Sequence, residues 1–317
     1  MVKKKKKNKI NVLVTGSNGQ LGKSLKYFYK KNSIYKLIFK TKKQLNITKY
    51  LELKKCIEAN NIKIIINTAA YTNVDLAQKY SKIANSVNAV AVKKISDLCK
   101  IYNILLIHVS TDYVFDGLKK KPYTELDKCL PLSVYGESKL KGDKYIVQKL
   151  DKFIILRIAW LYGPFGNNFF SKVMYKFLDN KNYYMISNQY AYPASSIQLA
   201  KDILKLIPII LLNKYNKKYF GIFNYGPYQK KISRYTFVKK LSKLIIKNVS
   251  LVNKYKLKTN SIKNKFSKKN NNNKLEIRPK NSMLENISFF KTFKIKKQTF
   301  DNNLKLSLTI FLKNVIN

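Results

Sequence analysis

Tyr135 and Lys139 stand four residues apart at the start of a segment that reads as a helix. That spacing puts both side chains on one helical face. A free phenol titrates near pH 10, and a neighbouring ammonium stabilises the phenolate and brings that value down. The pair is therefore a candidate proton-transfer unit. Spacing alone says little, because the chain holds 23 Tyr and 64 basic residues, of which only Arg157, Arg234 and Arg278 are arginine. Tyr27 and Lys31 repeat the same interval. Position singles out Tyr135 and Lys139. They come one strand–helix step after Val109-Ser110-Thr111-Asp112-Tyr113, which closes a strand. In an open α/β sheet, ligands gather outside the carboxyl ends of the strands. A hydroxyl from Ser110 or Thr111 and the phenol of Tyr135 then meet over one substrate carbonyl.

A second constellation lies near the start of the chain. Thr15-Gly16-Ser17-Asn18-Gly19-Gln20-Leu21-Gly22 joins a β-rich run to a helical one, with glycines at three-residue intervals. Gly16 allows a tight turn, Gly19 a close approach of backbone to a pyrophosphate, and Gly22 close packing of helix on strand. The helix N-terminus then offers free N–H groups and the positive end of its dipole to the phosphate. At the first strand–helix turn of a repeating pattern, this reads as a dinucleotide cradle. Lys40, Thr41, Lys42 and Lys43 follow the second strand with no acid beside them. Basic residues there suit a 2′-phosphate, so the cofactor expected is NADPH, with NADH left open.

The elements that must position these residues are legible from periodicity. Strands are expected at Ile10–Thr15, Tyr35–Lys40, Ile62–Asn67, Ile104–Ser110 and Phe153–Ala159. Helices are expected at Gln20–Lys31, Tyr50–Asn60, Ser81–Ile101 and Ser133–Leu150. The run IKIIIN is almost wholly apolar, as a sheet covered on both faces requires. Strands alternating with helices imply parallel βαβ units. The fold class is therefore α/β, a Rossmann-type doubly wound parallel sheet with a smaller C-terminal α/β substrate domain. Residues 10–163 form the nucleotide-binding domain, to which the chain returns near 190–224; residues 164–189 and 225–317 form the substrate domain; residues 1–9 are a basic tail. Beyond Trp160 the pattern loosens: a loop over Tyr162–Asn168, a helix to Asp179, a helix over Ile197–Leu212 and a late strand over Lys217–Asn224. Residues 254–274, mostly Lys and Asn, read as a poorly ordered surface loop.

Composition bounds the rest. The 317 residues are 45% hydrophobic, enough for a sizeable core, which excludes a wholly disordered chain. No apolar run reaches the roughly 18 residues of a membrane span. Three separated cysteines, Cys56, Cys99 and Cys129, suggest neither a disulfide framework nor a metal site, and point to a reducing cytoplasm. His108, the single histidine, sits inside a strand and reads as a core residue. The net charge of +48 would attract polyanions, but the excess is lysine and accompanies abundant Asn, Ile and Tyr, as a biased codon usage produces. A specific nucleic-acid partner is not expected, since base readers rely on Arg.

The glycine turn, a Ser/Thr after the fourth strand and Tyr-x-x-x-Lys resemble the extended short-chain dehydrogenase/reductase superfamily. Within it, Asn67-Thr-Ala-Ala-Tyr-Thr-Asn-Val-Asp75, Ser110-Thr-Asp-Tyr-Val-Phe-Asp-Gly117, Pro131-Leu-Ser-Val-Tyr-Gly-Glu-Ser-Lys139, Arg157-Ile-Ala-Trp-Leu-Tyr-Gly163, Gly166-Asn-Asn-Phe169 and Arg278-Pro-Lys-Asn-Ser-Met-Leu284 resemble the dTDP-4-dehydrorhamnose reductase family, in order along the chain. The resemblance implies hydride transfer from NADPH to the C4 carbonyl of a dTDP-linked ketosugar. It implies Tyr135 as proton donor, Lys139 on the nicotinamide ribose and Thr111 on the same oxygen. It also implies Tyr113, Trp160 and Asn168 around the sugar, and Asn67, Ala69, Ala70 and Tyr71 beside the cofactor. Arg278 is left between nucleotide phosphates and helix-end carbonyls, and Trp160 and Tyr113 between the pocket and the core.

Departures from the family pattern fall on the substrate side. Asn188-Gln-Tyr-Ala-Tyr-Pro-Ala194 stands for Asp-Gln-x-Gly-x-Pro-Thr, and Ser233-Arg234-Tyr235 for Ser-Trp-Tyr. Ile197 stands where some relatives place an acid that holds magnesium, so no metal is expected. A homodimer remains open. The alternatives are another extended reductase or epimerase of nucleotide sugars, and a non-catalytic regulatory subunit of the methionine adenosyltransferase type. Tyr135, Lys139 and Thr111 together argue against the latter.

Overall fold

A computed structural model describes residues 9–31, 34–178, 183–227, 230–247, 266–269 and 278–316. Six parallel strands form the main sheet: β1 (Ile10–Thr15), β2 (Tyr35–Lys40), β3 (Ile62–Asn67), β4 (Leu105–Thr111), β5 (Phe153–Ile158) and, later in the chain, β8 (Gly221–Tyr225). Their order is β2-β1-β3-β4-β5-β8. The strand order reverses between β1 and β3, and the crevice over that point is where such sheets hold ligands.

Period-two alternation builds two cores from the same strands. Val12, Val14, Ile64, Ile66, Ile107 and Leu156 face one way, onto α1 (Gln20–Phe28) and α8 (Ser196–Leu212). Leu13, Ile65, Leu106 and Ile155 face the other, onto α2 (Tyr50–Ala59), α5 (Ala91–Ile101) and α6 (Val134–Lys149). Both faces are dry, which is why β3 tolerates almost no polar residue.

Several expectations need correction. The helix expected over Ser81–Ile101 is continuous but not uniform. Between α4 (Ser81–Asn85) and α5 runs a π-turn, Ser86–Val90, that follows the short α3 (Val74–Lys79). The first helix stops at Phe28, short of Lys31. The strand expected from Lys217 begins only at Gly221. Lys217–Tyr219 forms a 3-10 turn because the Asn216 side chain accepts the Lys218 N–H at 3.0 Å. Within the Lys/Asn-rich segment, Phe266–Lys269 is a strand, β10, paired with β6 (Tyr183–Ile186); the rest of that segment lies outside the described residues.

A third core forms from α7 (Phe169–Leu178), α9 (Arg234–Ile246) and the last helix, Phe300–Ile316, around Tyr162, Phe170, Phe237 and Phe300. Beside it lies a small sheet of β11 (Asn281–Ser282), β7 (Tyr190–Ala191) and β9 (Ile232–Ser233). The expected boundary at 225 is too simple. Phe289, Phe293 and Ile295 pack with Phe223 and Tyr225 of β8 in the main-sheet core.

Candidate active site

The glycine turn closes against the end of β3. Gly16 has φ +66°, and a Cβ there would stand 2.7 Å from the Ala69 backbone. A Cβ on Gly22 would meet the Ser17 backbone at 2.5 Å, so α1 leaves the turn with almost no clearance. Gly19 is the N-cap of α1 and no side chain caps the helix, which leaves its first N–H groups for an anion. Asn18, Gly19, Gln20 and Leu21 line a cavity of about 500 Å³. Gly16, Asn18 and Gly19 also line a second, of about 320 Å³, with Ala69, Ala70, Tyr71 and Lys42. Among the described residues, no carboxylate lines this second cavity. The two cavities share Asn18 and Gly19 of the turn. Ser17, Gly22 and Asn67 line neither; they shape the turn from behind. The Asn67 side chain is buried, accepting from Thr15 Oγ1 at 2.7 Å.

Across the larger cavity stands α6. Ser133 caps it by accepting the Gly136 N–H at 3.2 Å, and one helical face (Tyr135, Ser138, Lys139, Gly142, Asp143) is buried. The helix is drawn close by its glycines. A Cβ on Gly142 would stand 2.2 Å from the Asn88 carbonyl, and one on Gly136 would stand 2.2 Å from the Tyr113 carbonyl. Asn88, offered by the π-turn, donates to Ser138 Oγ at 3.0 Å and exchanges bonds with both backbone groups of Tyr71. It locks α6 to the segment after β3. Sequence reading missed it, since nothing local marks a π-turn.

Tyr135, Lys139, Ser110 and Thr111 all line the larger cavity. Ser110 donates to Asp143 Oδ2 at 2.6 Å. Thr111 is the hydroxyl beside Tyr135. It donates to Asp112 Oδ1 at 3.1 Å and accepts from the Tyr113 N–H at 3.2 Å. The expectation that Lys139 acidifies Tyr135 is not met in this arrangement. Lys139 Nζ donates to the Val109 carbonyl at 2.7 Å and lies 3.0 Å from His108 Nε2. Burial therefore governs the phenol and raises its pKa, with Thr111 pulling weakly the other way. Burial lowers Lys139 to about 8 and raises Asp112 to about 6.

The far wall carries the residues assigned to the sugar. Tyr113 meets Tyr135 edge to face at 5.4 Å and lines the cavity. Trp160 also lines it, with φ +44°, a conformation bulky residues rarely adopt. The Arg234 guanidinium lies 4.4 Å from the Trp160 ring and 4.9 Å from Phe169. Thus the unusual arginine of Ser233-Arg234-Tyr235 reaches the cavity. Asn168 lines the cavity too, but its amide donates to the Gly163 and Phe165 carbonyls at 3.0 Å and accepts from the Phe170 N–H at 2.9 Å. Its bonds brace the 163–168 loop. Arg278 lines the cavity, and its Nη2 donates to both oxygens of Asp75, at 2.7 and 2.8 Å. Among the described residues no group of three or more His, Cys, Asp or Glu side chains could hold a metal, and no helix is long and apolar enough to cross a membrane.

A parallel sheet with a phosphate cradle at its switch point, and a Tyr–Lys helix facing a Thr at the end of β4, define a short-chain-type NAD(P)-dependent reductase. Comparison with known proteins narrows this. The family model described as RmlD substrate binding domain matches residues 10–312. The chain is 31% identical over 300 residues to the dTDP-4-dehydrorhamnose reductase of Aggregatibacter actinomycetemcomitans, covering 93% of this chain and 97% of that protein. The crystal structure of dTDP-4-dehydrorhamnose reductase from Bacillus anthracis in complex with NADP matches with a TM-score of 0.82 at 25% identity, over 96% of this chain and 100% of that one. The Clostridium acetobutylicum orthologue matches with a TM-score of 0.82 at 28% identity, over 95% and 99%. The chain belongs to the RmlD family, that of the dTDP-4-dehydrorhamnose reductases.

Proposed function

We propose that this chain reduces the C4 carbonyl of dTDP-4-dehydro-β-L-rhamnose (dTDP-6-deoxy-L-lyxo-4-hexulose) to give dTDP-L-rhamnose. The observation that carries this reading is that Tyr135, with Thr111 beside it, opens onto the same cavity as the glycine turn. NADPH, when bound, supplies the hydride that adds to the carbonyl carbon. The turn Gly16–Gly22 and the N-terminus of α1 hold its pyrophosphate, and Lys42 stands in the adjoining cavity where a 2′-phosphate needs a cation. Ala69, Ala70 and Tyr71 border the same end.

Tyr135 gives its proton to the C4 oxygen as negative charge develops there. Its raised pKa keeps the phenol protonated, the form a donor needs. Thr111 Oγ1 steadies the same oxygen, exchanging its bond to Asp112. Lys139, as an ammonium, holds the ribose. Tyr113 and Trp160 flank the sugar, and Asn168 fixes the loop that closes over it. Such chemistry draws on cytoplasmic NADPH and nucleotide sugar, and the lysine-rich surface attracts nucleic acid only non-specifically.

Tyr135→Phe removes the transferable proton and little else. Turnover should fall by about 10²-fold or more with NADPH affinity retained. Undiminished turnover would remove Tyr135 as the donor.

A further inference from the structure

His108, in β4, is completely buried and lies directly behind Lys139. Its Nδ1 is 3.0 Å from Asn67 Nδ2 and its Nε2 is 3.0 Å from Lys139 Nζ. Asn67 fixes the proton count. Its Oδ1 accepts from Thr15 Oγ1 at 2.7 Å and from the Ala69 N–H at 3.3 Å. A backbone N–H can only donate, so the amide oxygen faces Ala69 and the NH₂ faces His108. Nδ1 must then accept. A neutral imidazole with Nδ1 accepting carries its proton on Nε2, pointed at Lys139. An amine at Nζ takes that proton in a hydrogen bond through its lone pair, while keeping its own bond to the Val109 carbonyl at 2.7 Å. An ammonium has no lone pair, and would set two donors 3.0 Å apart.

We propose that His108 is a positioning residue that sets the charge of Lys139. It donates from Nε2 to the neutral amine, and passes to the Nδ1–H tautomer, with the Asn67 amide turned over, when Lys139 becomes an ammonium. Across that change Lys139 gains one proton and His108 keeps the same number. Turning Asn67 over deprives the Ala69 N–H of its acceptor, and this penalty biases the pair toward the amine. The linkage runs to the cofactor cradle, because Ala69 lines the cavity beside Gly16.

Other groups face this pair from every side. From α6, Asp143 Oδ1 lies 3.8 Å from His108 Nε2 and favours charge on Lys139. Asp143 Oδ2 accepts from Ser110 of β4 and stands 3.8 Å from Arg157 Nε of β5, while the buried Oδ1 makes no hydrogen bond and at 3.8 Å is too far to take the Nε2 proton. Tyr135 lies one helical turn before Lys139, and Asp112 beyond the phenol. Burial holds the imidazole far below its usual pKa, so an imidazolium is not the competing form.

This inference rests on the proposed function only where it predicts rates. The first test does not need activity. His108 is the chain's single histidine, so ¹⁵N-histidine labelling of the intact protein gives one pair of ring signals. The signals should report the Nε2–H tautomer at high pH and convert to Nδ1–H as Lys139 gains its proton. In Lys139→Met the conversion should vanish. A tautomer that does not change with pH, or that changes equally in Lys139→Met, would overturn the proposal. The second test is the pH profile of NADPH-dependent turnover in His108→Gln. Losing the Nε2–H donor raises the proton affinity of Lys139, so the alkaline limb should move up by about one pH unit. A lower turnover with the limb in place would make His108 merely structural. If no nucleotide ketosugar is reduced by wild type, the function reading fails and the nuclear magnetic resonance test still decides this one.

Discussion

Lys139 is a charged-type residue placed where charge is expensive. It is fully buried, and burial lowers its pKa from about 10.5 to about 8. The unfolded chain therefore binds a proton between those values that the folded chain does not, so stability rises with pH across that window. Below it both states are protonated, and the fold carries the full penalty of about 3 kcal/mol, an order-of-magnitude figure. Lys139→Met should be inactive but more stable than wild type at neutral pH, and the gap should narrow as pH climbs from about 8 to about 10. Denaturant unfolding at several pH values checks this; a gap that does not change with pH would contradict it. The sequence made Tyr135, Lys139 and the glycines visible because each needs a particular residue type at a particular interval. It could not show which way Lys139 turns. That depends on His108 and Val109, whose approach is decided by strand register, not by spacing along the chain.

The site depends on how closely α6 approaches its neighbours. Gly136 follows Tyr135 and packs on the turn that follows Thr111. A methyl there would collide with the Tyr113 carbonyl at 2.2 Å, and backbone cannot yield cheaply. Gly136→Ala should push the first turn of α6 outward and move the phenol from Thr111. Turnover should fall at least tenfold with NADPH binding intact, since a small misplacement of a reacting group costs heavily. Retained turnover would show that the approach is not needed. The elements themselves were largely readable. Apolar runs such as IKIIIN become strands buried on both faces, and the helix expected over Ser133–Leu150 forms over Val134–Lys149 with Ser133 as its N-cap. The π-turn at Ser86–Val90, the short strands β7, β9 and β11, and the helix α9 were not. Two-residue strands carry no periodicity, and the partners of Asn88 on the π-turn, Tyr71 and Ser138, are 17 and 50 residues away along the chain.

The whole molecule carries a net charge of +48 on 317 residues, with 16 acids to offset 64 bases. Like charges repel across the surface, and salt screens that repulsion within a Debye length of about 10 Å at 0.1 M. The melting temperature should therefore rise with sodium chloride, by several degrees between low and physiological ionic strength, and co-purifying nucleic acid should be released over the same range. A melting temperature indifferent to salt would mean that the lysines are too well spaced to matter. Two of the cores divide the labour at this scale. One forms under the six-stranded sheet that holds the cradle, the other under α7 and α9, which bring Phe169 and Arg234 to the cavity. The chain's repeated returns to the main sheet, through β8 and Phe289–Ile295, were only partly foreseeable, because long-range packing leaves no local mark.

The central claim is that these parts act together on one ketosugar. The most direct measurement is the loss of NADPH absorbance on adding dTDP-6-deoxy-L-lyxo-4-hexulose, with the product identified by mass and sugar analysis. One NADPH should be consumed per dTDP-L-rhamnose formed, and the rate should be largely lost in Tyr135→Phe. NADPH that binds but is not oxidised by this sugar would contradict it.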